Sequence, residues 1–144
     1  MYLDWKTFQV LHFLVLQNTQ WRWRPNNWKE PEMTTDNQAP IDLFERVDFE
    51  AWNGPNWDLF RQLHTDDVIV KMFGVHTEGI EAHVAACQAY QTSTPASKVL
   101  EHPVRMADGE WTCVISIAEG GVHFVTVAKW RDGAISEEYI MGVK

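Results

Sequence analysis

The chain has 144 residues, 45% hydrophobic and 22% charged, which excludes wholesale disorder and allows one domain with its own core. Its 12 basic and 20 acidic residues give a net charge of −8, with no local basic patch, so a nucleic-acid partner is not expected. The 2 cysteines, Cys87 and Cys113, form no CxxC or Cys/His cluster, which argues against a disulfide scaffold or structural zinc and for a reducing, cytoplasmic setting.

Residues 1–40 carry four bases and four acids, so the whole charge imbalance lies in 41–144. Four of the eight Trp fall within the first 28 residues, and Pro25, Asn26, Asn27 and Pro31 interrupt regular structure there. The apolar run 10–16 is broken by His12 and is too short to span a bilayer. No small-residue cleavage site follows it, so neither a membrane segment nor a signal peptide is expected. Two readings of this Trp-rich arm stay open. It is a strap on its own domain or on a partner subunit, or it is upstream sequence before a native start at Met33.

From Ile41 the helical period is clear. Ile41, Phe44, Val47 and Ala51 recur at 3–4 spacing, with Leu43 and Trp52 beside them, and predict an amphipathic helix. Asn53-Gly54-Pro55-Asn56 breaks it, and Asn56 is placed to cap a second helix that buries Trp57, Phe60 and Leu63. His64 and Asp66-Asp67 read as the helix terminus and turn before a strand over 68–73, ended by Gly74. A third helix spans about 79–90, with Ile80, His83, Val84 and Cys87 on one face. Four strands follow, over 97–106, 111–118, 122–130 and 135–143, separated by Asp108-Gly109, Gly120-Gly121 and Asp132-Gly133. Helices first and an antiparallel meander last give an α+β fold.

Both faces of strands 111–118 and 122–130 are apolar, whereas a solvated face would alternate with polar residues. One face therefore packs on the helices and a pocket. The other is expected to meet a second subunit in a homodimer.

Phe49-Glu50-Ala51-Trp52-Asn53, Leu63-His64-Thr65-Asp66-Asp67-Val68 and Gly79-Ile80-Glu81-Ala82-His83 fall in a characteristic order. His102-Pro103-Val104, Gly109-Glu110-Trp111-Thr112, Trp130-Arg131-Asp132-Gly133 and Glu137-Glu138-Tyr139 complete it. In this pattern residues 41–144 resemble the SnoaL-like branch of the nuclear transport factor 2-like superfamily, in particular its ester and polyketide cyclases. The resemblance implies a cone: a curved antiparallel sheet wrapped around N-terminal helices, with a central pocket and a dimer through the outer sheet face. Enzymes of this kind depend on an inward carboxylate. Carried over residue by residue, the cyclase and epoxide-hydrolase Asp on the last strand falls on Ile140, and the cyclase His on the preceding strand falls on Thr126. The epoxide-hydrolase Arg and Asp fall near Ser116 and Ala118, and the ketosteroid-isomerase base falls near Met72. All of these positions are apolar or hydroxylic here.

The expected pocket is therefore greasy and suits a small hydrophobic molecule. Its expected lining is Trp52, Met72, Cys87, Tyr90, Val114, Ser116, Phe124, Thr126 and Ile140. Any acid–base group must come from elsewhere. His83 shares the apolar helix face with Cys87, and Glu138 shares the strand parity of Ile140, which places it at the pocket mouth. Each has a plainer alternative: His83 as a core histidine, Glu138 as a rim carboxylate paired with Lys129 or Arg131. A metal site would need a third ligand that the sequence spacing does not supply, so neither metal nor cofactor is expected. Tyr139 has outward parity, Arg105 suits an edge ion pair, and His76 and His123 read as surface residues. The expected function is that of an enzyme similar to SnoaL-like cyclases, acting on a hydrophobic carbonyl compound by cofactor-free acid–base chemistry. The alternative is a non-catalytic module of the same fold that binds a small hydrophobic ligand or dimerises.

Overall fold

A computed structural model describes residues 38–143, so the Trp-rich arm and the choice of a start at Met33 lie outside the described residues. Helix α1 (Gln38–Arg46) continues into a π-helical turn (Val47–Trp52), closed by a bond from the Asn53 N–H to the Asp48 carbonyl at 3.0 Å. The expected stripe of Ile41, Phe44, Val47 and Ala51 is buried throughout. The single amphipathic helix read from the sequence thus ends in a widened turn, which carries Asp48. Helix α2 (Trp57–Gln62) starts where Asn56 Oδ1 accepts from the Leu59 N–H at 3.1 Å.

Strand β1 (His64–Met72) begins before the β-branched run that announced it, because His64 already pairs with Ile135, ahead of a bulge. Phe73 and Gly74, with φ of 49° and 88°, reverse the chain into β2 (Val75–Glu78), a hairpin strand not expected from the sequence. Its short, exposed Val-His-Thr-Glu run gives no hydrophobic period to read. Helix α3 (Ile80–Ser93) buries Ile80, His83, Val84 and Cys87, as their spacing predicts. Then come β3 (Val99–Asp108), β4 (Trp111–Ala118), β5 (Val122–Arg131) and β6 (Ala134–Val143).

The six strands form one sheet in the order β2-β1-β6-β5-β4-β3. The meander β3 to β6 is antiparallel, but β6 also lies parallel to β1. The sheet is therefore mixed, which corrects the expected antiparallel one. Turn residues announce hairpins between sequence neighbours; nothing local announces a pairing between strands this far apart along the chain. The sheet stays open, with β2 and β3 at its edges. Its inner face and the helices enclose a core that includes Phe44, Val68, Val70, Val114, Ala128 and Ile135. On β5 the inward parity holds: Thr126, Ala128 and Trp130 are buried, and Trp130 Nε1 donates to Thr112 Oγ1 at 3.0 Å. Among the described residues no helix is long and apolar enough to cross a membrane.

Candidate functional site

A cavity opens between the inner sheet face, the π turn and α3, with about 70 Å³ available to the centres of water-sized molecules. On that measure one water needs roughly 10–15 Å³, so a small organic molecule is accommodated with little rearrangement. Trp52, Tyr90 and Phe124 line the cavity. Phe73 joins them from its positive-φ turn, with its ring 5.5 Å from Tyr90 and 6.0 Å from Phe124. Met72, Cys87, Thr126 and Ile140 also line it, together with His83 and Glu138. Val114 and Ser116 are fully buried but lie outside the lining, and the Ser116 hydroxyl has no hydrogen-bond partner.

Glu138 is not a rim carboxylate. It is 3% exposed and faces two imidazoles: His83 Nε2 stands 3.5 Å and His64 Nε2 3.8 Å from Glu138 Oε2. The two basic residues offered as rim partners are occupied elsewhere: Lys129 with Glu110 and Glu137, Arg131 with Asp67. Burial alone would raise the Glu138 pKa, but the adjacent imidazoles His64 and His83 outweigh it and hold the carboxylate at about 2. His64 is fixed by the preceding helix α2: its Nδ1 donates to the Phe60 carbonyl at 2.7 Å and its ring stacks on Phe60 at 4.3 Å. Cys87 Sγ lies 3.7 Å from His83 Nε2. Burial, with Glu138's charge adding to it, raises the Cys87 pKa far above the ordinary thiol range, so Cys87 is a neutral wall and not a nucleophile.

A second carboxylate–imidazole pair reaches the same cavity through its carboxylate. Asp48, on the π turn, lines it and meets His102 Nε2 from β3 at 2.9 Å. Burial raises the Asp48 pKa, and the hydrogen bond and charge of His102 offset only part of that rise. His102 is wedged against Phe49 and Phe44, with ring centroids 4.6 and 5.7 Å away. Arg105, from the same strand, is held by Glu45 and serves as an ion-pair partner. His76 and His123 are exposed, as expected, and Tyr139 donates its hydroxyl to Glu137 at 3.1 Å.

His64, Asp48 and His102 were missed as site residues. The available signal was periodicity: His64 follows the buried Phe60 by four residues, and Asp48 follows the buried Phe44 by four. A polar residue on an apolar helical stripe is a candidate for a buried role.

No family model matches the chain, and no curated protein matches it. Solved structures do share its fold. A candidate SnoaL-like polyketide cyclase from Jannaschia species CCS1 superposes with a TM-score of 0.67 at 17% identity, covering 76% of this chain and 88% of its own. A SnoaL-like protein of unknown function from Burkholderia thailandensis gives 0.65 at 16% identity, covering 74% and 98%. IdmH, a candidate polyketide cyclase from Streptomyces antibioticus, gives 0.63 at 16% identity, covering 72% and 91%. The chain thus shares the α+β fold of these SnoaL-like structures. At these identities the likeness extends to the fold and not to the chemistry.

Proposed function

We propose that the protein is an enzyme that moves protons on a small hydrophobic carbonyl compound, by enolisation, aldol closure or dehydration. One observation carries this reading: of two carboxylate–imidazole pairs, Glu138–His83 and Asp48–His102, three members, Glu138, His83 and Asp48, line one aromatic-walled cavity. Two carboxylates whose environments push their pKa values apart are suited to divide acid and base roles. Glu138, held ionised, offsets the charge of His83 when that imidazole takes a proton from carbon. Asp48, held towards its protonated form, returns a proton through or alongside His102. Thr126 and Tyr90 supply hydroxyls that can polarise the carbonyl. The chemistry is proton transfer alone and calls for no redox partner. The free thiols Cys87 and Cys113 suit a reducing cytoplasm.

The second reading, a non-catalytic binder, is favoured by Ile140 and Met72. They line the cavity at positions where the resemblance implies a carboxylate and a base. Native mass spectrometry of the purified chain tests both by showing a retained compound, which then serves as a candidate substrate. Loss of a positioned acid or base costs about 100- to 10,000-fold in rate. His83→Ala, Glu138→Gln and Asp48→Asn are each expected to lower kcat/KM by that order. Turnover surviving all three substitutions would sink the acid–base reading, and a retained ligand that is never turned over would leave the binder.

A further inference from the structure

We propose that His64, His83 and Glu138 form a binding site for a divalent transition-metal ion of zinc's chemical class, open on one side to the cavity. The three candidate ligand atoms lie within 4.8 Å of one another, and all three side chains are buried. Their spacing is the first reason. Glu138 Oε2 is 3.5 Å from His83 Nε2 and 3.8 Å from His64 Nε2. An N–H···O hydrogen bond closes to about 2.7–3.2 Å. Ligand bonds of about 2.0–2.2 Å in a tetrahedral shell put neighbouring donor atoms roughly 3.3–3.6 Å apart. The observed separations are long for direct hydrogen bonds and within a few tenths of an ångström of a coordination edge.

His64 supplies a second, independent reason. Its Nδ1 donates to the Phe60 carbonyl at 2.7 Å, while its Nε2 is fully buried without a hydrogen-bond partner. A backbone carbonyl on one imidazole nitrogen fixes the tautomer and orients the other as a donor to metal. A bare Nε2 lone pair beside a carboxylate is repelled unless a cation stands between them. A proton can fill that place; a metal ion fills it and satisfies His83 as well.

The donors also come from three separate regular elements, the start of β1, the first turn of α3 and the middle of β6. Two imidazoles and one carboxylate match borderline divalent ions better than magnesium or calcium, which prefer all-oxygen shells. His83 and Glu138 line the cavity and His64 does not, so three protein donors close one side and leave a position facing the ligand space. That is the arrangement of a catalytic site rather than a structural one. The bound ion would polarise a carbonyl oxygen, and proton transfer would fall to Asp48 and His102. The inference reassigns His83 and Glu138 from proton transfer to metal binding, and it is tested without turnover, so it and the acid–base reading can fail separately.

The full chain, dialysed against a chelator, is titrated with Zn2+ by calorimetry and with Co2+ by visible absorption. One equivalent of Zn2+ is expected, with a Zn2+-dependent rise in Tm and the intense cobalt bands of a four- or five-coordinate site. Glu138→Gln and His83→Asn should each weaken binding by more than the about 10- to 100-fold that loss of an outer partner costs. His76→Ala, on an exposed histidine next to Glu78, should leave it unchanged. The absence of saturable binding by the unmodified chain would overturn the proposal. So would binding that persists in folded Glu138→Gln and His83→Asn variants, or binding lost with His76→Ala. If a buried substitution unfolds the chain, the cobalt spectrum of the unmodified protein decides: six-coordinate, all-oxygen absorption rejects the site.

Discussion

Asp48 shows how one side chain can weigh on stability and chemistry in opposite directions. Its buried carboxyl has a pKa raised above the ordinary 3.8, by desolvation first, with His102 opposing. A folded-state pKa above the unfolded one means that the folded chain holds the proton longer. Asp48's contribution is therefore most favourable below the unfolded value and is lost as pH rises through the raised one. In urea unfolding across acid to neutral pH, Asp48→Asn should gain stability relative to the unmodified chain as pH increases through that window. A stability difference independent of pH would count against the raised pKa. At this scale the sequence was half legible. Helical spacing on α3 and strand parity on β6 pick out His83 and Glu138, because both signals are local. They say nothing of the 54 residues that separate Asp48 from His102, and only folding brings those two to hydrogen-bond distance.

Between residue and molecule, the π turn and β3 form the unit that positions Asp48. Asn53 joins them: its Nδ2 donates to the Val99 carbonyl at 2.8 Å and its Oδ1 accepts from the Val99 N–H at 2.9 Å. Gly54 permits the sharp exit, since a Cβ there would stand 2.7 Å from the Glu50 carbonyl oxygen. Asn53→Ala removes both bonds and leaves a partly buried donor and acceptor unpaired, at a cost of about 1–3 kcal/mol. Denaturant unfolding should show this as a lowered midpoint. Because the same clamp registers Asp48 against His102, turnover should fall as well; an unchanged midpoint would show that the clamp contributes nothing. The sequence announced Asn53-Gly54 as a helix break but not as a clamp, since a break is a property of residue type and a clamp needs its distant partner. The edge strand β2 and the parallel β1–β6 pairing escaped for the same reason. The hairpin turns did not: Asp132 and Gly133 take φ of 53° and 79°, the paired positive values that an Asp-Gly two-residue turn supplies.

Across the whole molecule, the outer sheet face sets the expected assembly. Met106, Cys113, Val127 and Tyr139 stand in register across β3, β4, β5 and β6. Val104, Ile115, Val125 and Met141 form a second ladder beside them. Val104, Met106 and Met141 remain exposed, and the ladder residues between them are only half-buried. Two adjacent apolar rows on one face form a continuous patch, unlike the scattered apolar residues of an ordinary surface. Lys129 beside Trp111, with its Glu110 and Glu137 partners, gives that patch a charged rim. We propose that a second copy of the chain covers this face, burying on the order of 800 Å² per subunit as stable interfaces do. Light scattering at micromolar concentration should then give twice the chain mass. Ile115→Lys and Val125→Lys, at the centre of the second ladder, place like charges against each other across the two-fold interface and should yield folded monomers with unchanged helical and strand content. A monomeric mass for the unmodified chain would leave the two ladders without a second copy to cover them.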